Sequence, residues 1–231
     1  INNITLYGQF FIKDNKKYSL NKEWVFQTRN FFDKVYIEQF QVKKPMKKVE
    51  LGQEIVVYTL GNLLELDRLW SELLVNWAKE ETRDKRNCWQ GDHAWWLIPK
   101  LQEEEALHDF MVEKKIETYN VWTEGEILDK QAMRYYAKRG IHTKLSKKKL
   151  TKNNEHISVF GENIVKFKIP EHIDTKINKI YRKAKKIEDM DIKRTIDLYK
   201  EECEIELVII KDQTLADKMK EAIINNFDKE K

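Results

Sequence analysis

"NNEHISVFGENIVKF" (residues 153–167) decides what kind of α/β sheet this chain builds. Two apolar-rich runs flank Gly161-Glu162-Asn163, a composition that favours a tight turn, so the stretch reads as a β-hairpin over 156–169. The segments before it alternate strand-like and helix-like patterns, and the hairpin breaks that rhythm. A sheet that takes in both must be mixed.

Upstream, "EIVVYTL" (54–60) reads as a strand, and Asn62 with Glu65 forms a capping box that opens a helix over 63–79. "HAWWLI" (93–98) is the second expected strand, followed by a helix over about 100–114. "IETYNVW" (116–122) is the third, and Thr123 with Glu126 caps a helix that runs to Lys138 and stops at Gly140. Downstream, helices are expected over 171–187 and 192–200. "IELVII" (205–210) is the last strand, and Thr214 with Asp217 starts a final helix to Phe227. The expected fold is α/β: a mixed, mostly parallel sheet with helices on both faces.

The N-terminal part has a different pattern. In "GQFFIKDNKKYSLN" (8–21), Phe10-Phe11-Ile12 runs into the polar turn Asp14-Asn15, and Tyr18 and Leu20 return on alternate positions as a hairpin. Asn21 then caps a helix over 22–40. Trp24, Thr28, Phe31 and Val35 lie near a heptad-like seam, with Phe32, Tyr36 and Phe40 beside it. That aromatic face suits either a partner chain or the chain's own main domain. "KKPMKK" (43–48) reads as a linker.

Composition narrows the class. The chain has 231 residues, 41% hydrophobic and 35% charged, which is a globular, charge-rich balance rather than a disordered one. No apolar run approaches the roughly 18–20 residues of a membrane span, and no signal peptide opens the chain. Cys88 and Cys203 form no disulfide framework, so a cytoplasmic location is expected. The net charge of +4 does not by itself indicate nucleic acid, because much of the lysine is interleaved with glutamate. "HTKLSKKKLTK" (142–152) is the exception, a basic run with no acid. The chain opens on Ile1 in what looks like a structured segment, and a preceding segment is expected.

Signatures for phosphate loops, dinucleotide folds, serine elbows, zinc proteases and paired C-x-x-C motifs are missing, and the 7 glycines leave little material for a phosphate cradle. No cofactor is expected. In "CWQGDHAWW" (88–96), Cys88, Asp92 and His93 fall short of the four ligands of a structural zinc, and His108, His142, His156 and His172 are scattered, so no metal site is assigned. Trp95 and Trp96 are expected to pack on opposite faces of a strand. The turn Gly91-Asp92-His93 sets polar groups beside indole faces, a combination that binds a sugar or another small ring. Trp89, Asp92 and His93 are therefore the ligand-binding candidates, with core packing as the competing reading. His142 and Lys144 form an H-x-K pair, but the aspartate that phosphodiesterase chemistry needs after four further residues is replaced by Lys149. No catalytic residue is assigned.

Taken together, "FFIKDNKKYSLNKEW" (10–24) and "NNEHISVFGENIVKF" (153–167) resemble the TrmB-type transcriptional regulators. "NCWQGDHAWW" (87–96) resembles a tryptophan-rich segment in uncharacterised relatives. The resemblance implies a winged-helix DNA-binding module, a dimerising helix, and an effector domain with a phospholipase D-like fold that has lost catalysis. The hairpin at 1–21 would be the wing of a module whose recognition helix is absent, with Lys13, Lys16 and Lys17 on DNA phosphates. Residues 22–42 would be the linker and dimerisation helix, and 49–231 the effector-type domain. Asn154 would stand in place of the nucleophilic histidine, His156 in place of the lysine and Gly161 in place of the aspartate. The implied partners are DNA, a second copy of the chain and a small-molecule effector, with no membrane. Two alternatives remain open: a phosphodiesterase or nuclease using His142 and Lys144, and a nucleic-acid-binding module built on Lys144–Lys152.

Overall fold

Parallel pairing is confined to one edge of the sheet. The computed structural model describes residues 55–80, 83–97, 100–152, 154–186 and 189–227, together with residue 28 and the backbone of 11–14, 17–20 and 46–51. The chain divides into two compact units, Ile1–Lys44 and Pro45–Lys231. In the first, β1 (Phe11–Asp14) and β2 (Lys17–Leu20) pair antiparallel, Asp14 opposite Lys17. This is the expected hairpin. Of the helix expected over 22–40, residue 28 is described and helical; the remainder lies outside the described residues.

The second unit runs β3 (Met46–Leu51), β4 (Ile55–Leu60), α1 (Leu63–Glu80), β5 (Arg86–Gly91), α2 (Leu101–Glu113), β6 (Glu117–Trp122), α3 (Ile127–Ala137) and β7 (His142–Leu145). It continues with β8 (Glu155–Phe160), β9 (Asn163–Lys168), α4 (Glu171–Lys183), α5 (Ile192–Lys200), β10 (Ile205–Lys211) and α6 (Gln213–Ile224). The strands form one eight-stranded sheet in the order β3-β4-β10-β9-β8-β5-β6-β7. Only β5–β6 and β6–β7 are parallel. The other five neighbouring pairs are antiparallel, so the sheet is mixed but mostly antiparallel, not mostly parallel as expected. Two β-α-β crossovers, through α2 and α3, build the parallel edge, while hairpins and the returning β10 build the rest.

The hairpin at 155–168 forms as expected. Gly161 and Glu162 close a two-residue loop between Phe160 and Asn163, and Gly161 takes the positive φ of 57° that such loops require. Helices do lie on both faces, unequally. On one face α1, α4 and α5 bury Leu63, Leu66, Ile173, Ile177, Tyr181 and Leu198 against Val165, Phe167, Leu207 and Ile209. The other face is covered by α6, whose Ala216 meets Ile157, Val159 and Ile164 and whose Ile223 meets Cys88 and Val121. Each such large apolar side chain contributes about 1.5–3 kcal/mol by leaving water.

Four local readings change. The second strand is Arg86–Gly91, not 93–98, and Trp95–Leu97 form a turn, so Trp95 and Trp96 do not sit on opposite strand faces. The stretch read as a linker over 43–48 contains the start of β3, a strand given its place by pairing with β4. The final helix starts at Gln213 with Asp212 as its N-cap, accepting from the Leu215 N–H, rather than at Thr214 with Asp217. The α3 cap lies three residues later than expected: Glu126 and Asp129 form the reciprocal capping box.

Candidate functional site

An α/β sheet tends to present its chemistry beyond the carboxyl ends of its parallel strands, where strand direction switches. Here β5 has an antiparallel neighbour, β8, on one side and a parallel one, β6, on the other. Asp92 follows β5, Thr123 follows β6 and Asn154 precedes β8, which brings the three together at that switch.

Asp92 is buried, and both its oxygens are occupied. Oδ1 accepts from the Thr123 hydroxyl and from Lys149 Nζ at 3.0 Å, while Oδ2 accepts from the Asn154 backbone N–H at 3.1 Å. Burial alone would raise its carboxyl, but these three donors outweigh it and hold the group below its ordinary range. Lys149 also lies 3.7 Å from Glu124. Asn154, at a φ of 55°, donates its side-chain amide to the Ile169 carbonyl at 2.8 Å.

His93, 2% exposed, faces acceptors at both ring nitrogens. Nδ1 lies 2.9 Å from an Asp129 oxygen, and Nε2 lies 3.1 Å from Asn178 Oδ1. The Asn178 amide nitrogen donates to the Asp174 carbonyl and carboxylate at 2.9 and 2.8 Å, which fixes its oxygen toward His93. A ring between two acceptors donates from both nitrogens, so the imidazolium is the fitting form. Burial opposes that charge, yet the Asp129 carboxylate raises the His93 pKa above its ordinary value. The ring packs on Tyr181 with centroids 4.1 Å apart.

His156 is the opposite case. It stacks on Phe167, 4.8 Å away with planes 6° apart, and Trp89 and Trp95 close the other sides. Burial pushes its pKa down to about 4, so it is neutral at pH 7. Its ring lies so close over Gly91 that a Cβ there would overlap His156 Nδ1 and the Trp89 ring.

The tryptophans form the adjoining wall. Trp96 stands edge-on to Trp89 at 5.0 Å and to Trp95 at 5.3 Å, and its N–H donates to the Tyr136 hydroxyl, which donates to Glu104. Beside them lies a narrow slot, wide enough for little more than a water molecule, lined by Leu66, Asp67, Trp70, Trp89, Trp95, Trp96 and Phe167. Asp67 there is ion-paired with Lys100. The Trp95 indole N–H is buried without a partner among the described residues.

The ligand-binding candidates therefore separate. Trp89 lines the slot, whereas Asp92 and His93 are turned into the chain's own hydrogen-bond lattice. Asp67, Trp70 and Trp95 were missed as lining residues, and Trp70 carries no local cue beyond being an aromatic on a helix. Lys13 and Lys17 lie on the two strands of the N-terminal hairpin, and Lys16 lies outside the described residues. His142 is exposed and stacks on Tyr119 at 4.5 Å with planes 13° apart. Lys149, from the basic run, turns inward to Asp92. Among the described residues no group of three or more His, Cys, Asp or Glu is arranged to hold a metal, and no helix is long and apolar enough to cross a membrane.

No family model matches the sequence. No curated protein matches it either. Among solved structures, the chain is similar to that of TrmBL2, an archaeal chromatin protein described as showing a novel mode of DNA binding. The identity is 13% and the TM-score 0.44, over 98% of this chain and 78% of that one.

Proposed function

We propose that the chain is a non-catalytic, DNA-associated regulator whose α/β unit keeps a phospholipase D-like scaffold as a sensing body. One observation carries the reading: the three positions that the family resemblance assigns to catalysis are occupied by structural groups. Asn154 ties Asp92 to the Ile169 carbonyl, His156 is a neutral ring sandwiched among aromatics, and Gly161 makes the hairpin turn. A nucleophile needs an exposed, activated lone pair, and none of the three offers one.

In this reading a small ring-shaped effector binds at the tryptophan slot by widening it, since the slot is too narrow for a ring as it stands. It stacks on indole and presents an acceptor to the Trp95 N–H. The N-terminal hairpin sets Lys13, Lys16 and Lys17 on DNA phosphates, and the segment at 22–42 joins two copies. The effector acts only if it binds two arrangements of the dimer unequally.

The test pairs two assays on the whole chain. Duplex DNA binding should weaken in K13E/K16E/K17E, and a chromogenic phosphodiester should not be hydrolysed with any common divalent metal. Turnover abolished by His142→Ala would replace this reading with the phosphodiesterase one. For the slot, tryptophan fluorescence should respond to a cognate ring compound and lose that response in Trp95→Phe.

A further inference from the structure

The α/β unit contains a second acid-free basic stretch, and this one lies along a helix. "TKINKIYRKAKK" (175–186) holds six Lys and Arg and no Asp or Glu. Within it Lys176 is paired, 2.5 Å from Glu201. Lys179, Arg182, Lys183, Lys185 and Lys186 are exposed, and none forms a salt bridge among the described residues. In the 142–152 run, by contrast, Lys149 is spent internally on Asp92.

The periodicity of α4 explains the arrangement. Ile173, Ile177 and Tyr181 form its buried stripe, so Lys179, Arg182 and Lys183, at i, i+3 and i+4, share the outer side. With Thr175 and Asn178 they line an open groove along the helix. Asn178 also holds His93 Nε2 from behind, so the buried imidazole and the exposed cations lie on two sides of one residue. Cations in the last turn complement the helix dipole. That accounts for Arg182 and Lys183, but not for Lys179 a turn earlier or for Lys185 and Lys186 beyond the helix.

We propose that this face of α4 is a contact surface for the backbone phosphates of a nucleic-acid duplex. It is made by the α/β unit itself and is independent of the N-terminal hairpin. A single small phosphate would engage one or two of these cations. A row that climbs about 1.5 Å per residue from Lys179 to Lys183 and continues past the helix end suits a duplex, whose strands each carry a phosphate for every ~3.4 Å of its axis. A membrane surface fits less well, because interfacial helices pair basic residues with an exposed apolar face, and the apolar stripe of α4 is buried.

The whole chain is titrated with a labelled duplex over a range of salt, alongside K179E/R182E/K183E and K13E/K16E/K17E. The α4 variant should bind at least tenfold more weakly at moderate salt, and its log–log salt slope should become shallower by roughly 2–3, about one unit for each phosphate no longer neutralised. An unchanged slope overturns the proposal. So does a loss of duplex binding in the hairpin variant alone, which leaves the regulator reading standing. A loss in the α4 variant alone supports this inference and counts against the hairpin as the DNA contact. Wild-type binding to vesicles rich in anionic lipid, lost in the α4 variant while duplex binding is unaffected, also overturns it. If charge reversal lowers the melting temperature, K179Q/R182Q/K183Q gives the same readout with less repulsion.

Discussion

The two ends of β5 hold two ionic lattices built from different kinds of charge, the first around a buried lysine whose partners reach the surface. At the N-terminal end, Lys220 is 0% exposed and donates to Asp84, to Asp217 at 3.0 Å and to the Gly161 carbonyl at 2.9 Å. Asp84 also accepts three bonds from Arg86, two from the guanidinium at 2.8 and 2.9 Å and one from the backbone N–H at 3.1 Å. Burial works against the Asp84 charge, but Arg86 and Lys220 hold its carboxyl well below the usual range. At the C-terminal end the charges involve histidines, His93 beside Asp129 and His156 beside no hydrogen-bond partner at Nδ1 among the described residues. With Asp84 held low and Arg86 held high, their pair keeps its charges across the neutral range, and the first lattice acts as a fixed clamp between β5, the β8–β9 turn and α6. The second titrates. Chemistry that responds to conditions is concentrated at the end where an α/β sheet usually binds its ligands.

The largest effect expected from this contrast is at the clamp. Lys220→Met leaves the Gly161 carbonyl without its buried donor and Asp84 with Arg86 alone, and because Asp84 is partly exposed the cost falls at the low end for a buried pair, about 3 kcal/mol. Urea denaturation at pH 7 measures it. A variant as stable as the wild type would mean that Arg86 alone satisfies Asp84, and the clamp would be no anchor.

The second effect separates the ends by pH. A histidine with a folded pKa of about 4 and an unfolded value near 6.5 contributes stability above pH 6.5, and that stability is lost as pH falls toward 4. At pH 4.5 the loss from His156 comes to about 2–3 kcal/mol. His93 has the opposite sign: its pKa is raised, so its contribution is complete below about pH 6.5 and is lost as pH rises through the folded value. Asp92, held low, loses its contribution only below the ordinary carboxylate range. Across pH 6.5 to 4.5 the loss therefore comes from His156, while the Asp129 and Asp174 carboxyls, raised by burial, work in the opposite direction. Denaturant midpoints in His156→Phe should vary less across it than in the wild type. The same pH dependence in both proteins would show that His156 is not its source.

Next in size is the packing beneath that ring. Gly91→Ala adds a methyl where His156 Nδ1 and Trp89 already stand, and overpacking of this kind costs about 1–3 kcal/mol. Pairing it with His156→Ala should recover part of the loss in a double-mutant cycle. Full additivity would place the strain elsewhere.

These same residues show what the sequence could and could not reveal. The hairpin at 155–168 was legible because turn chemistry and alternation are local. The tryptophan segment was misplaced for a physical reason: its apolar density is greatest over residues 94–97, but the strand is 86–91 and ends at the Gly91-Asp92 breaker. Strand direction was not legible at all, since β10 lies antiparallel between β4 and β9 by pairings made across most of the chain. Asp92 and His93 stood out as polar groups among indoles. Their partners Thr123, Asp129, Lys149 and Asn178 lie 31, 36, 57 and 85 residues away and have no motif to announce them. The basic stretch at 175–186 was within reach of a charge count, but it is interrupted by the apolar residues that bury α4.

Lys149→Met gives the smallest effect and the finest test of the contrast between the two ends. Its side chain is 25% exposed, and Asp92 keeps the Thr123 hydroxyl and the Asn154 N–H when the ammonium is removed. A partly solvated pair with two remaining donors should cost no more than about 1 kcal/mol. The fully buried Lys220 should cost several times as much, although both are lysine–aspartate pairs. If Lys149→Met approached the Lys220→Met cost, Asp92 would depend on charge rather than on neutral donors, and the two ends of β5 would be clamps of the same kind. If it cost nothing, Lys149 would be available to a ligand at no structural penalty, and the 144–152 run would regain its standing beside α4 as a phosphate contact.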